Sequence, residues 1–199
     1  MAEPSAELIR LAQAGNRDAL EQLVASQQHY VYSVAMSVLH NPDDAADLTQ
    51  EAFVRLYRSL RQYNGESRFT TWLYRMVINL CRDELRRRKR QVQQLVPGAP
   101  GDEDDRDPVT LVPDDSPEAD PPRVLEHKEV STALHDVVAQ LDPPYRTALT
   151  LFYFEDLKYQ DIAEVMQIPL NTVKSHIRRG KERLAELIST QYPHLAHLA

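Results

Sequence analysis

A proline-rich acidic segment, Pro97–Arg123, limits the possible folds of this chain, because it separates two stretches with helical periodicity. It contains seven prolines, and nine acidic residues against two basic ones. Proline lacks a backbone hydrogen-bond donor and disfavours a helical conformation at the preceding residue. A segment with this many charges also has little apolar surface to bury. We therefore predict an extended linker over 93–124, between an N-terminal domain over 1–92 and a C-terminal domain over 125–192.

The net charge of −7 is a property of this segment, because the remaining acidic and basic residues balance. A nucleic-acid partner, which favours Lys and Arg, is therefore compatible with the composition. Helical periodicity, few glycines and little β-branched alternation predict an all-α fold class. The sequence shows no membrane span and no secretory signal, so we expect a cytoplasmic protein. Cys81 is the only cysteine, and we expect it in the core.

Four helices are predicted in the N-terminal unit from their periodicity and start signals. They cover about Ser5–Ala14, Asn16–Leu39, Pro42–Leu60 and Thr70–Arg90. Asn16, Asn41 and Thr70 are the expected N-caps, because a short polar side chain accepts hydrogen bonds from free amides of the first turn. The predicted buried positions of the last two helices are Leu48, Ala52 and Leu56, with Phe53, Tyr57 and Leu60 beside them, and Leu73, Val77, Leu80 and Cys81.

Two polar surfaces of this unit are candidates for binding. The third helix places Asp47, Gln50 and Glu51 together on one side. The fourth helix carries a stripe at i, i+4, i+7 and i+11, formed by Arg75, Asn79, Arg82 and Arg86, and ends in a basic run to Arg90. A charge run is most often a solvated face, but an amide inside an arginine row also suits base reading between phosphate contacts. The pattern alone leaves both interpretations open.

The C-terminal unit contains the pattern of a helix-turn-helix. A helix over about Leu125–Leu141 and another opening at Pro143 precede it. The motif itself is a short helix, Tyr159–Met166, a turn over Gln167–Asn171, and a long helix over Thr172–Ile188, capped by Asn171 or Thr172. Its predicted packing positions are Ile162, Val165 and Met166 on the first helix and Val173, Ile177, Leu184, Leu187 and Ile188 on the second. Gly180 falls in the second row, so we predict that it faces a neighbouring helix and not the groove of DNA.

The other face of the second helix is basic and polar. It presents Thr172, Lys174, Ser175, His176, Arg178, Arg179 and Lys181. Arginine can bond guanine edges bidentately, while lysines and hydroxyls hold phosphates. The alternative is an amphipathic helix with solvated charges. We favour a DNA-reading helix because turn, cap and basic face occur together.

Three motifs, in this order, resemble the bacterial sigma factors of the extracytoplasmic-function (ECF) type. Asp47–Phe53 resembles the part of their second conserved region that docks on core RNA polymerase. Arg68–Arg75, followed by Asn79, resembles the part that melts and reads the −10 promoter element. Tyr145–Leu187 resembles their fourth region, whose helix-turn-helix reads the −35 element and whose flank touches the polymerase flap.

The resemblance implies a role for each motif. Asp47, Gln50 and Glu51 would contact the clamp coiled coil of the largest polymerase subunit. The loop Tyr63–Phe69 would hold a base flipped from the non-template strand, with Asn79 at the floor of the pocket. The implied −10 contacts are Asn64, Ser67, Arg68, Phe69, Arg75, Asn79, Arg82 and Arg86. The family implies a monomer without cofactor or metal, held by an anti-sigma factor through which any membrane contact would arise.

Alternatives remain at several points. A stand-alone helix-turn-helix regulator with a sensing or dimerisation domain is the second hypothesis, although no dimer surface is evident. An enzyme is disfavoured because no phosphate loop, nucleophile motif or metal cluster occurs. The acidic linker is either a spacer or a mask for the basic faces, and deletion of Asp102–Asp120 would raise DNA affinity in the second case. Trp72 is either a core residue, which we favour, or a stacking wedge.

Overall fold

The computed structural model describes residues 3–95 and 137–191, and its regular elements there are helical. In chain order they are α1 (Ala6–Gln13), α2 (Arg17–Leu39), α3 (Pro42–Ser59), a 3-10 turn (Leu60–Gln62), α4 (Phe69–Leu95), α5 (Pro143–Leu149), the π-helical segment Thr150–Phe154, α6 (Tyr159–Met166) and α7 (Leu170–Gln191). Residues 137–139 are also helical. Most of the predicted linker and of the helix Leu125–Leu141 lies outside the described residues. None of the described helices is both long and apolar enough to cross a membrane.

Helices α2 and α3 begin where local capping chemistry predicts. The side-chain oxygen of Asn16 accepts a hydrogen bond from the amide of Ala19 at 2.9 Å. That of Asn41 accepts from the amides of Asp43 and Asp44, at 3.0 and 3.2 Å, and Pro42 takes the first helical position. These bonds satisfy donors that have no partner inside the helix.

The predicted caps of α4 and α7 are wrong. Helix α4 begins at Phe69, and Thr70 lies in its first turn, where its hydroxyl donates to Glu3 at 2.6 Å instead of accepting from the backbone. Helix α7 begins at Leu170, before Asn171 and Thr172, and the carbonyl oxygen of Pro169 accepts hydrogen bonds from the amides of Thr172 and Val173 at 2.9 and 3.1 Å. Both helices also extend beyond their predicted ends.

In the N-terminal unit, α2 packs against α1, α3 and α4. The predicted buried row of α3 is confirmed, since Leu48, Ala52 and Leu56 are buried, but Tyr57 is 66% exposed and not part of the core. Cys81 is buried as predicted. Burial raises the pKa of its thiol to about 12, so the side chain is an inert apolar group at neutral pH.

The C-terminal unit is built around the contact of α7 with α5. The side chains of Ile162, Val165 and Val173 are fully buried between the helices. Gly180 is buried against α5 as predicted, and a Cβ atom placed on it would lie 3.0 Å from Cδ1 of Leu149. The absence of a side chain therefore permits the close approach of the two helices.

The two units pack against each other, with α6 on α4 and α5 on α2. The hydroxyl of Tyr74 donates to the buried carboxyl group of Glu155 at 3.0 Å. The buried Arg146 donates to the carbonyl oxygen of Ser37 on α2 and to that of Leu141. Sequence patterning did not predict this interface, because its polar contacts join residues far apart in the chain.

Burial changes the acidity of the groups at this interface. It raises the pKa of Glu155 to about 7, although hydrogen bonds from Tyr74 and Ser33 oppose the shift. Burial, with the nearby Glu155, raises the pKa of the Tyr74 hydroxyl. Desolvation lowers the pKa of Arg146, which nevertheless stays charged and satisfied by carbonyl oxygens. The interface therefore contains one carboxyl group that titrates near neutral pH.

Candidate nucleic-acid interface

The second helix of the helix-turn-helix, α7, presents most of the predicted DNA-facing residues at its surface. Arg178 is exposed and forms an ion pair with Glu182, one turn further on, at 2.6 Å. Four more of these residues are half-buried, namely Thr172, Lys174, Ser175 and Arg179. The helix-turn-helix geometry is present, because the left-handed Gln167 ends α6 and a short turn leads into α7.

His176 departs from the predicted outward arrangement, whereas Lys181 keeps it but packs beside aromatic rings. His176 is only 4% exposed, and its ring packs edge-on against Tyr145 with the centroids 5.5 Å apart. It lies three residues after Val173 and four before Gly180, so it shares their side of the helix. Lys181 is exposed, but its ammonium group lies 5.5 Å from the centroid of the Tyr153 ring, beside the π-helical segment.

The stripe on α4 faces the C-terminal unit in this structure. A guanidinium nitrogen of Arg75 lies 3.1 Å from the carboxylate of Glu164 on α6. Arg82 donates to the carbonyl oxygen of Met166, at the end of α6, at 2.6 Å. Asn79, between them, is half-buried, while Arg86 is exposed. Helix α6 thus covers part of the surface that the sequence assigns to DNA.

Part of the basic run that ends the stripe has a structural role. The carboxylate of Glu84 accepts hydrogen bonds from Arg87 and Arg88, which lowers its pKa to about 2. Arg88 also pairs with Asp44 at 2.6 Å and thereby ties α4 to the start of α3. The sequence analysis treated this run as one basic face, and the structure shows that these two arginines are engaged within the protein.

The loop before α4 forms a compact turn over an aromatic cluster. The hydroxyl of Tyr63 donates to the carbonyl oxygen of Ser67 at 2.7 Å, which closes the loop on itself. Gly65 has φ +80°, a left-handed conformation that suits glycine. Asn64 and Arg68 are exposed, and Ser67 is half-buried. This segment therefore offers polar side chains on a folded support.

Phe69 does not occupy the position predicted for a DNA contact. It is fully buried, because the first turn of α4 directs this apolar ring into the core. Its ring lies 5.5 Å from Tyr63 and 5.9 Å from Trp72, measured between centroids. Trp72 is half-buried and packs on the same cluster, as expected for a residue at the edge of the core.

The polar side of α3 is at the surface. Asp47, Gln50 and Glu51 are exposed, as their spacing predicts. Val54 and Tyr57 continue along the same side and are 50% and 66% exposed. Periodicity placed Tyr57 beside the buried row and did not single out Val54, although their spacing of seven and ten residues from Asp47 is the signal that puts both on the polar side. Exposed apolar groups beside a polar row are typical of a protein-binding surface.

Comparisons with known proteins identify the family. Two family models match, Sigma-70 region 2 over residues 23–91 and Sigma-70, region 4 over residues 131–184. The RNA polymerase sigma-H factor of Pseudomonas aeruginosa is 36% identical over 182 residues, which cover 92% of each chain. The ECF RNA polymerase sigma factor SigW of Bacillus subtilis is 31% identical over 180 residues, or 88% of this chain and 92% of its own. The chain belongs to the ECF sigma factors.

A solved structure supports the fold of this ECF sigma factor. The sigma factor RpoE from Bartonella quintana, in complex with the anti-sigma factor NepR, matches with a TM-score of 0.62 at 20% identity. The match covers 86% of this chain and 97% of that one. The predicted all-α fold class is thereby confirmed. The region 2 match contains the α3 face and the α4 stripe, and the region 4 match contains the helix-turn-helix.

Proposed function

We propose that this ECF sigma factor directs core RNA polymerase to promoters by reading the −10 element with region 2 and the −35 element with region 4. The observation that carries the proposal is the presence of both regions on one chain, each with polar residues at the surface. A stand-alone regulator would not need the exposed α3 face. The protein itself performs no chemistry in this scheme, since polymerase supplies it, and it acts as a cytoplasmic monomer.

The −35 element is read by α7 in this proposal. Arg178 is the exposed arginine best placed to form a bidentate contact with a guanine, which would replace its pairing with Glu182. Lys174, Arg179 and the hydroxyl of Ser175 supply phosphate contacts at the start of the helix. The predicted contact of Thr172 is not kept, because its hydroxyl oxygen is buried in the described part of the chain. We assign no direct base contact to His176, because it is buried.

The −10 element is read by the loop before α4 together with the polar stripe. Asn64, Ser67 and Arg68 provide hydrogen-bonding groups in the loop, where a flipped base would enter. Asn79 lies further along α4, the helix that follows the loop. The buried ring of Phe69 supports this loop from beneath and does not stack on DNA. A single-stranded segment can then be held by polar groups above a rigid aromatic base.

DNA binding through the stripe requires that the two units separate. Arg75 is paired with Glu164, and Arg82 is bonded to Met166, so these side chains exchange protein partners for phosphates when the promoter binds. The α3 face is exposed in the present arrangement and is available for polymerase. Docking of α3 on the clamp coiled coil of the largest subunit, and of region 4 on the flap, would hold the units apart.

We further propose control by an anti-sigma factor, which would bind the free protein and exclude polymerase. The structural neighbour RpoE was solved together with such a protein, NepR. No residue of this chain is assigned to that contact.

Run-off transcription with core polymerase on a promoter library tests the proposed function. We expect transcription only when both proteins are present, whereas a stand-alone regulator would bind its site without polymerase. Arg178→Ala should change the −35 preference and Asn79→Ala the −10 preference. Wild-type promoter choice in both variants would contradict the residue assignments, and failure to bind core polymerase would contradict the function.

A further inference from the structure

The segment that precedes α1 reaches the start of α4. One carboxylate oxygen of Glu3 accepts a hydrogen bond from the amide of Phe69 at 2.6 Å. The other accepts from the hydroxyl of Thr70 at 2.6 Å and lies 3.4 Å from the amide of the same residue. The first amides of a helix have no partner within the helix and carry its positive end, so a carboxylate there stabilises the first turn. Glu3 thus supplies a cap that no residue of the loop supplies.

Helix α1 also holds the other end of the loop. The side-chain amide of Gln13 donates to the carbonyl oxygens of Leu60 and Tyr63, at 2.9 and 2.8 Å. The residues between these two anchors, 64–68, include Asn64, Ser67 and Arg68. Both ends of the loop are therefore attached to one short N-terminal element.

Glu3 lies beside a residue of the loop itself. The Nε atom of Arg68 is 3.9 Å from the Glu3 carboxylate, and the Glu3 side chain is only 28% exposed. At this distance the partly buried carboxylate attracts the Arg68 guanidinium, whose side chain is 49% exposed. Neither Glu3 nor α1 falls within the region 2 match, which begins at residue 23. The family pattern therefore assigns them no part in promoter recognition.

We infer that Glu3 is a positioning residue for −10 recognition, because its carboxylate fixes the first turn of α4 and the adjacent Arg68 before DNA arrives. The inference rests on the proposed function of the loop. A preformed loop avoids the entropic cost of ordering its residues at the moment of binding. The difference in binding free energy between a base that fits the loop and one that does not is therefore larger. Loss of Glu3 should therefore weaken discrimination at the −10 element specifically.

The test uses the full chain with core polymerase and a promoter selected from the library. Open-complex formation is measured on this promoter, on versions with one −10 base changed, and on versions with one −35 base changed. Glu3→Ala should reduce the ratio between the intact and the −10-substituted promoters by roughly 5- to 10-fold, the scale of one ordinary hydrogen bond. The corresponding −35 ratio should not change. Glu3→Gln keeps one acceptor oxygen and should retain an intermediate ratio.

Glu7→Ala is the matched control, since it removes an exposed carboxylate from the same element, and both ratios should stay at the wild-type value. An unchanged −10 ratio in Glu3→Ala, with a reduced ratio in Asn79→Ala, would overturn the inference and leave the proposed function intact. If Asn79→Ala also leaves the ratio unchanged, the inference and the −10 residue assignments are both contradicted, whereas the proposed function itself is contradicted only by failure to bind core polymerase. Tighter binding of a single-stranded −10 oligonucleotide by Glu3→Ala than by Glu7→Ala at the same salt concentration would show that Glu3 competes with phosphate, which also overturns the inference.

Discussion

Gly180 allows α5 and α7 to approach closely, because it has no side chain between them. A Cβ atom there would lie 3.0 Å from Cδ1 and 3.1 Å from Cγ of Leu149. A leucine needs several more atoms in the same space, and Leu149 is fully buried and has little room to move. We predict that Gly180→Leu lowers the free energy of unfolding by about 1–3 kcal/mol, the usual cost of overpacking.

Urea denaturation followed by circular dichroism measures this effect. Ala185→Leu is the control, because it adds the same side chain at an exposed position of the same helix. Equal stability of the two variants would show that α5 and α7 are not in close contact in solution.

Glu155 makes stability depend on pH at the interface of the two units. Its pKa is about 7 in the folded protein, against an ordinary value of 4.5, so the folded state binds more protons between these values. Stability therefore falls as the pH rises from about 4.5 to 7, by an amount on the order of a few kcal/mol. Glu155→Gln keeps an acceptor for Tyr74 but cannot ionise, so this decrease should be absent.

Other ionisable groups also contribute to the pH dependence of stability, so the informative quantity is the difference between wild type and Glu155→Gln at pH 5 and pH 7.5 in urea titrations. We expect the wild type to lose more stability than the variant between the two pH values. Parallel pH profiles would mean that Glu155 is ionised, or exposed to solvent, in the folded protein.

The exposed side of α3 is the element best suited to bind polymerase. Its acidic and amide groups supply specificity, and the exposed Tyr57 supplies apolar contact area, since aromatic anchors contribute much of the energy at protein interfaces. We predict that Tyr57→Ala weakens binding to core polymerase by roughly 10-fold or more without lowering thermal stability. Leu85→Ala, on α4, removes another exposed apolar side chain and should bind normally. Equal affinities in a fluorescence titration would exclude Tyr57 from the interface.

Helix starts show which features follow from local sequence. Asn16 and Asn41 cap their helices because donor and acceptor are two or three residues apart, a relation that the sequence displays. The start of α4 could not be predicted in this way, because its cap is Glu3, 66 residues earlier. The start of α7 depends on the carbonyl of Pro169, and a backbone acceptor leaves no signal in residue type.

The burial of some predicted site residues shows a second limit of prediction from the sequence. Periodicity correctly placed the α3 polar row and Gly180, because each has several neighbours that follow the same spacing. It failed for His176, which lies at the border between two faces, where the packing of another element decides. The DNA contact of Phe69 was implied by the family resemblance and not by periodicity, and the ring is instead buried. Tyr145 covers His176, and the Tyr63 ring lies against Phe69. A polar residue type at such a border predicts exposure only when nothing packs over it.

At the scale of the whole molecule, the packing of α6 on α4 opposes DNA binding by the free protein. Glu164 pairs with Arg75, one of the arginines assigned to the −10 element. The packed arrangement of the two units, called the closed arrangement below, therefore removes a phosphate contact. We predict that Glu164→Ala raises the affinity of the free protein for promoter DNA, because it releases Arg75 and weakens the contact between the units. The exposed pair is weak by itself, so we expect a change of about 2- to 5-fold.

Removing any carboxylate also raises affinity for DNA by general electrostatics, so the control must remove one from the same helix. Asp161→Ala does this, since it lies three residues earlier on α6. Fluorescence anisotropy at one fixed salt concentration compares the two variants, and the difference between them reports the release of Arg75. If both variants gain equally, the pair with Arg75 does not restrain the protein, and the other contacts between the units, among them those of Tyr74, Arg82 and Arg146, hold them together.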